Sequence, residues 1–284
     1  MTLSIEQSNQ ACGARVTGLD LTKPMKPMQV EQIRQAWLKH HVLVFPKQRL
    51  TDSHLERFTL NFGPFGIDTF FGSIPGHPNI AAITRESDEK APIFAETWHT
   101  DWSFQPEPPQ GTCLYGIDIP PKGGDTLFAN QHQALEQMPN ELRAQLENQM
   151  AIHSAKLGYS LTGAYGEADQ SKGRSMDIRP SDRANETHSH PIIRPHPETG
   201  RLGLFGTFGY IIGIEGMADE VALNLLLELQ AWQSKEEFQY RHQWEPEMLV
   251  MWDNRSVLHR ATGGYEGYSR RLHRTTIGAA PSSA

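Results

Sequence analysis

"LVMWDNRSVLHRATGGYEGYSRRLHRTTI", Leu249 to Ile277, sets two short apolar runs and one basic run around glycine turns. Runs of this length bounded by Gly read as strands. His259 lies in the second run, and Arg270 and Arg274 follow in the third. Side chains alternate across a strand, so Arg270, Leu272 and Arg274 share one face. Two guanidiniums directed into a sandwich interior are costly unless each meets an anion. A dicarboxylate would supply one, and the planar donor fork of arginine matches a carboxylate.

The same punctuation extends backwards to residue 77. Short apolar stretches ("NIAAIT", "GTCLYGIDI", "DTLFAN", "HPIIRP", "LGLFG", "EEFQYRHQW", "EMLVMWDN") alternate with Pro and Gly turns, the signature of a β-rich sandwich or barrel. Helical patterns interrupt it at about 131–148 and 217–233, the second opening on Asp219-Glu220. Nearer the start, Val30, Ile33, Ala36 and Trp37 have helical spacing and "VLVF" (42–45) reads as a buried strand. Thr51-Asp52-Ser53 resembles a helix N-cap, with Leu55, Phe58 and Phe62 carrying the face to Gly63. Between His153 and His188 the chain is polar and aperiodic, which predicts a lid or substrate loop at about 154–190 within a single domain spanning 1–284.

"TWHTDWSF" (97–104) places His99 and Asp101 two residues apart. In a strand both would face one point, with Trp98, Thr100 and Trp102 turned away. Alone, His-x-Asp is common and uninformative. Joined by one more histidine it makes the two-histidine, one-carboxylate triad of non-haem Fe(II) oxygenases, which leaves positions open for a chelating cosubstrate and dioxygen.

Composition narrows the classes. The 284 residues are 38% hydrophobic and carry a formal charge of −7, against a nucleic-acid binder, which needs a basic face. A small anionic ligand needs only a local basic pocket. Cys12 and Cys113 are too few for a disulfide framework or a thiolate metal site. No apolar run is long enough to span a membrane and the start lacks a secretory pattern, so a cytoplasmic protein is expected.

In "GARVTGLDLTKPM", "WHTD", "PPKGGDTLFAN", "HPETGRLGLF", "MWDNRSVLHR" and "RRLHRTTI", the chain resembles the taurine/2,4-dichlorophenoxyacetate dioxygenases (the TauD/TfdA family), in that family's order and spacing. The resemblance implies a mainly β fold with flanking helices, the double-stranded β-helix or jelly roll of cupin-like proteins. It implies Fe(II) held by His99, Asp101 and His259, and 2-oxoglutarate whose distal carboxylate meets Thr126 and Arg270. With O2 as the other cosubstrate, the implied reaction hydroxylates a small substrate and releases succinate and CO2. The same scaffold could desaturate or epoxidise, and a non-catalytic β-sandwich binding module is the reading from another class. Assembly as a homodimer or homotetramer is the family's habit.

For substrate, the resemblance assigns Arg274 to an anionic head, carboxylate or sulfonate. Other positions depart from the taurine pattern. Phe70 and Ser73 stand where a histidine and a tyrosine are expected, Ala95 where an asparagine is, and Tyr159 and Tyr210 in place of phenylalanines. Losing polar partners while adding Phe70 implies a bulkier, less polar substrate than taurine. Phe71, Trp102, Phe104, Phe205 and Phe208 are assigned to the core. His188, His190 and His196 are assigned to loop and strand ends, and Trp252-Asp253-Asn254 to structural support.

Overall fold

The computed structural model describes residues 2–279. Its frame is an eight-stranded sheet in the order Ser4–Gln7, Ala14–Thr17, Val42–Phe45, Leu249–Asp253, Gly111–Asp118, Arg270–Ile277, His77–Arg85 and Ser73–Ile74. All its pairings are antiparallel except Ala14–Thr17 with Val42–Phe45. Alternation along these strands builds two layers. Leu43, Phe45, Cys113, Tyr115, Leu249, Met251 and Ile277 face one way, onto Ile33 and Trp37 of the helix Pro27–His40 and Leu55 and Phe58 of the helix Asp52–Thr59. Val42, Val44, Leu114, Val250, Trp252 and Leu272 face the other way.

That second face meets a three-stranded sheet, Gln239–His242, Thr126–Asn130 and Val257–Ala261, through Phe128, Tyr240 and Val257. Two sheets closing on one apolar layer make the jelly-roll sandwich that the strand pattern predicts. A further sheet, Ile211–Ile214, Met150–Ser154 and Thr187–Pro191, packs under the helix Asp219–Gln233 through Ala151, Ile211, Leu225 and Leu229. The strands 193–195 and 202–204 form a separate hairpin-like pair.

Two details differ from expectation. The helix opened by Thr51 is Asp52–Thr59 and stops short of Gly63; the chain then turns, with Phe62 still buried. The segment 154–190 contains short helices at Lys156–Tyr159, Glu167–Gln170 and Asp182–Asn185, and it buries Tyr159, Met176, Ile178 and Ala184. Its aperiodic polarity conceals a specific anchor. Arg174 is ion-paired with Asp169 and approaches Glu89 at 3.7 Å, with all three side chains almost fully buried. His196 stands at a strand end, as expected, and is a buried partner of Asp253, their side chains 3.0 Å apart, while Arg255 grips the same carboxylate at 2.8 Å. The motif "WDN" thus sits on a buried ion network that ties the 190s loop to the large sheet.

Candidate metal and cosubstrate site

His99 reaches the site by a single antiparallel bridge to His259, in which each backbone N–H donates to the other residue's carbonyl, at 3.0 and 2.7 Å. Residues 101–104 then form a turn rather than the strand expected, with Trp102 at φ +50°. A tryptophan in left-handed conformation is strained unless its surroundings hold it. Here Phe71 and Tyr159 pack edge-on to its ring, and its Nε1 donates to Asp68 Oδ1 at 2.6 Å. His99 and Asp101 therefore converge by bridge and turn, not by strand alternation.

His99, Asp101 and His259 offer one ligand atom each, all within 4.8 Å of one another. Asp101 Oδ1 lies 3.8 Å from His99 Nε2 and 3.6 Å from His259 Nε2, too far for hydrogen bonds. Thr97 O can only accept, so the 2.8 Å contact with His99 Nδ1 puts the proton there and leaves the Nε2 lone pair facing Asp101. Burial lowers both imidazoles from their ordinary value, His259 to about 3 with the neighbouring His99 adding to the effect. Burial pushes Asp101 up, but the neighbouring His259, Arg274 and His99 and the hydroxyl of Thr112 hold its carboxyl below the usual value. Two neutral imidazoles and a carboxylate facing one point, without a proton between them, are a donor set that fits a divalent cation of the iron type.

A chain of hydrogen bonds orients the carboxylate. Trp252 Nε1 donates to Asn254 Oδ1 at 2.9 Å, Asn254 Nδ2 donates to Thr112 Oγ1 at 3.0 Å, and Thr112 donates to Asp101 Oδ2 at 2.5 Å. Thr100 adds a bond to the Asn254 carbonyl at 2.7 Å. Thr112 lies in no motif noted from sequence. Only its place beside Trp252 across the sheet, which the register of the strands sets, discloses it.

The three residues border an inner cavity together with Thr126, Arg270 and Arg274. Thr126 Oγ1 accepts from Trp244 Nε1 at 2.9 Å, which leaves the hydroxyl proton for a ligand. Arg270 is buried, and no carboxylate contacts it among the described residues. Its hydrogen bond to the Gly124 carbonyl is long, 3.3 Å, and its Nε has no partner. Burial lowers its pKa from the ordinary arginine value. A buried cation so poorly matched calls for an external anion.

Arg274 differs. Its Nη2 lies 2.5 Å from Asp68 Oδ1, and its guanidinium stacks over Phe71 and Trp102 at 4.5 and 5.0 Å. Asp68 is a partner that the sequence reading passed over, having taken Phe70 as the pocket residue in this loop. Phe70 is fully buried behind Tyr159, stacked at 4.9 Å, and borders neither the inner cavity nor the one outside it. Tyr159 and Tyr210 do border the inner cavity, and also an outer one of about 250 Å³ that opens over His99. Phe94, Leu157, Tyr165 and Phe208 complete that outer wall, with half-buried Phe208 also packed against the apolar core under the helix Asp219–Gln233. Tyr165 accepts from the Ala95 N–H at 3.1 Å and so pins the 154–190 segment beside the first histidine.

A family model described as "Taurine catabolism dioxygenase TauD, TfdA family" matches residues 4–276. An alkylsulfatase of Acinetobacter baylyi is 31% identical over 285 residues, covering 97% of this chain and 84% of that protein. An alpha-ketoglutarate-dependent 2,4-dichlorophenoxyacetate dioxygenase of Cupriavidus pinatubonensis is 30% identical over 282 residues, covering 93% of each. Among solved structures, a taurine dioxygenase from Burkholderia xenovorans superimposes with a TM-score of 0.79 at 28% identity, over all of this chain and 95% of that one.

Proposed function

The chain belongs to the TauD/TfdA family of dioxygenases, and from that premise we propose that it is an Fe(II)- and 2-oxoglutarate-dependent dioxygenase that hydroxylates a small organic acid and releases succinate and CO2. The observation that carries this reading is the inner cavity. It sets Arg270, a buried cation without a carboxylate partner, across from the donor set His99, Asp101 and His259.

His99 Nε2, Asp101 Oδ1 and His259 Nε2 would hold the iron, and Arg270 with the free proton of Thr126 would hold the distal carboxylate of 2-oxoglutarate. When bound, iron, cosubstrate and O2 together supply the oxidant that oxidative decarboxylation generates. The residues do the rest. Thr112 and Thr97 fix how Asp101 and His99 face the metal. Tyr159 and Tyr210 keep their protons, since burial raises both above the ordinary tyrosine value, so they present neutral phenols to the substrate. The aromatic wall excludes water from the reacting centre. We assign Arg274 to the acid head, Tyr159 and Tyr210 to its body, and 154–190 to a substrate loop within one domain. Phe70 serves by backing Tyr159.

The free, buried thiols of Cys12 and Cys113 suit a reducing compartment, in keeping with a cytoplasmic enzyme. No helix among the described residues is long and apolar enough to cross a membrane.

The test is a succinate-release screen over carboxylates, sulfonates and sulfate esters, paired with 2-oxoglutarate affinity. Arg270→Ala removes one partner of a buried charge pair, which costs about 2–5 kcal/mol, or roughly thirtyfold or more in the 2-oxoglutarate Kd. An unchanged Kd, or wild-type enzyme that releases no succinate, contradicts the assignment.

A further inference from the structure

Buried arginines in this protein come with carboxylates of their own. Arg85 has Glu89 at 3.2 Å, Arg174 has Asp169, and Arg255 has Asp253 at 2.8 Å. Of the two arginines bordering the inner cavity, Arg270 breaks that rule and Arg274 obeys it, through Asp68. Asp68 is pinned, because the oxygen that meets Arg274 also accepts the Trp102 indole N–H at 2.6 Å. It approaches from behind: Asp68 borders a separate cavity of about 300 Å³ with Arg179 and Gly72, whereas Arg274 borders the inner one. The guanidinium keeps one nitrogen for a ligand. Nη1 makes no hydrogen bond among the described residues and stands 3.6 Å from Asp101 Oδ1, whereas Nε is buried without a partner.

We propose that Asp68 is a specificity-determining residue. It is the resident counter-ion of Arg274 and restricts the acid head at that arginine's free Nη1 to a single negative charge. The inference rests on the assignment of Arg274 to the substrate head and deepens it. The side chains that set the cavity's charge are Asp68, Asp101, Arg270 and Arg274, and they cancel. A dication and a dicarboxylate cosubstrate cancel as well. A singly charged head therefore enters a neutral site and still finds unused donors on Arg274. A second negative charge finds no further cation, because the outer cavity beyond is walled by Phe94, Leu157, Tyr165 and Phe208 with no acidic or basic side chain other than His99. Affinity must then come from an apolar body in that outer cavity, so the substrate class is a monoanionic acid with an apolar body. Phosphate monoesters and dicarboxylates are rejected.

Asp68→Asn tests this, since the amide oxygen can still accept from Trp102 and Arg274 while the charge is gone. The probes are phenylacetamide, phenylacetate and phenyl phosphate at pH 8, uncharged, singly and doubly charged on one ring. Their Kd values are read by calorimetry on anaerobic enzyme loaded with Fe(II) and 2-oxoglutarate. Removing a nearby like charge should tighten phenylacetate about ten- to a hundredfold and phenyl phosphate by more, with the amide within about twofold. Arg274→Met added to Asp68→Asn should erase those gains. If Asp68→Asn leaves all three affinities alike, or fails to bind phenylacetate, the proposal is overturned. Loss of phenylacetate in Arg274→Met alone would then show that the head-group assignment survives it. If acids bind equally well with and without Arg274, the head-group assignment itself falls, and the proposal with it.

Discussion

Thr112 shows how much of this site lies outside any motif. Its hydroxyl donates to Asp101 and accepts from Asn254, so it fixes which carboxylate oxygen is left for a metal. Thr112→Val keeps the shape and removes both bonds. Loss of such an outer partner typically weakens metal binding about ten- to a hundredfold, and we expect that loss in an anaerobic Fe(II) titration with little change in melting temperature. Metal affinity equal to wild type would remove Thr112 from the site. His99, Asp101 and His259 were legible in sequence because a His-x-Asp pair, a distant histidine and arginines needing an anion agreed with one another. Thr112 and Asp68 were not, since each acts through a strand or loop remote in the chain, and both residue types are ordinary where they occur. The choice of Phe70 over Asp68 shows the same limit: in a loop, period carries no information about which side chain turns inward.

At the scale of elements, alternation was a sound guide wherever a strand has two buried faces. Along Arg270–Ile277 it sends Arg270, Leu272 and Arg274 to the cavity side, while His273 pairs with Asp52 and Thr275 bonds Thr59 on the helix side. It misled at 97–104, where a turn held by aromatic packing replaces the strand. It was silent on 154–190, which carries a buried ion cluster as well as the apolar anchors Tyr159, Met176 and Ile178. Arg174→Met should free that segment, because it leaves buried Asp169 unpaired, which costs about 3–5 kcal/mol, while Glu89 keeps Arg85. Limited proteolysis of the variant should cut within 154–190 while the sheets stay protected. An unchanged digestion pattern would show that the segment is held by its apolar anchors instead.

Across the whole molecule, burial leaves several histidines neutral. His41, His153 and His242 each sit at about 3 against an ordinary 6.5, with burial the largest cause. Between those values the unfolded chain binds protons that the folded chain refuses, so stability falls as pH drops below about 6.5 and is fully present above it. Each such histidine contributes about 1.4 kcal/mol per pH unit well inside that window. Urea unfolding of the metal-free protein should therefore be constant between about pH 7.5 and 8 and fall steeply from pH 6 to 5. A flat profile through that range would mean these imidazoles are protonated in the fold. The central claim, that His99, Asp101 and His259 form an iron site completed by 2-oxoglutarate, has a more direct test. Anaerobic addition of Fe(II) and 2-oxoglutarate should produce a weak visible metal-to-ligand charge-transfer band in the wild-type protein, and Asp101→Ala should abolish it. Absence of the band in wild type, or its persistence unchanged in Asp101→Ala, would contradict the account.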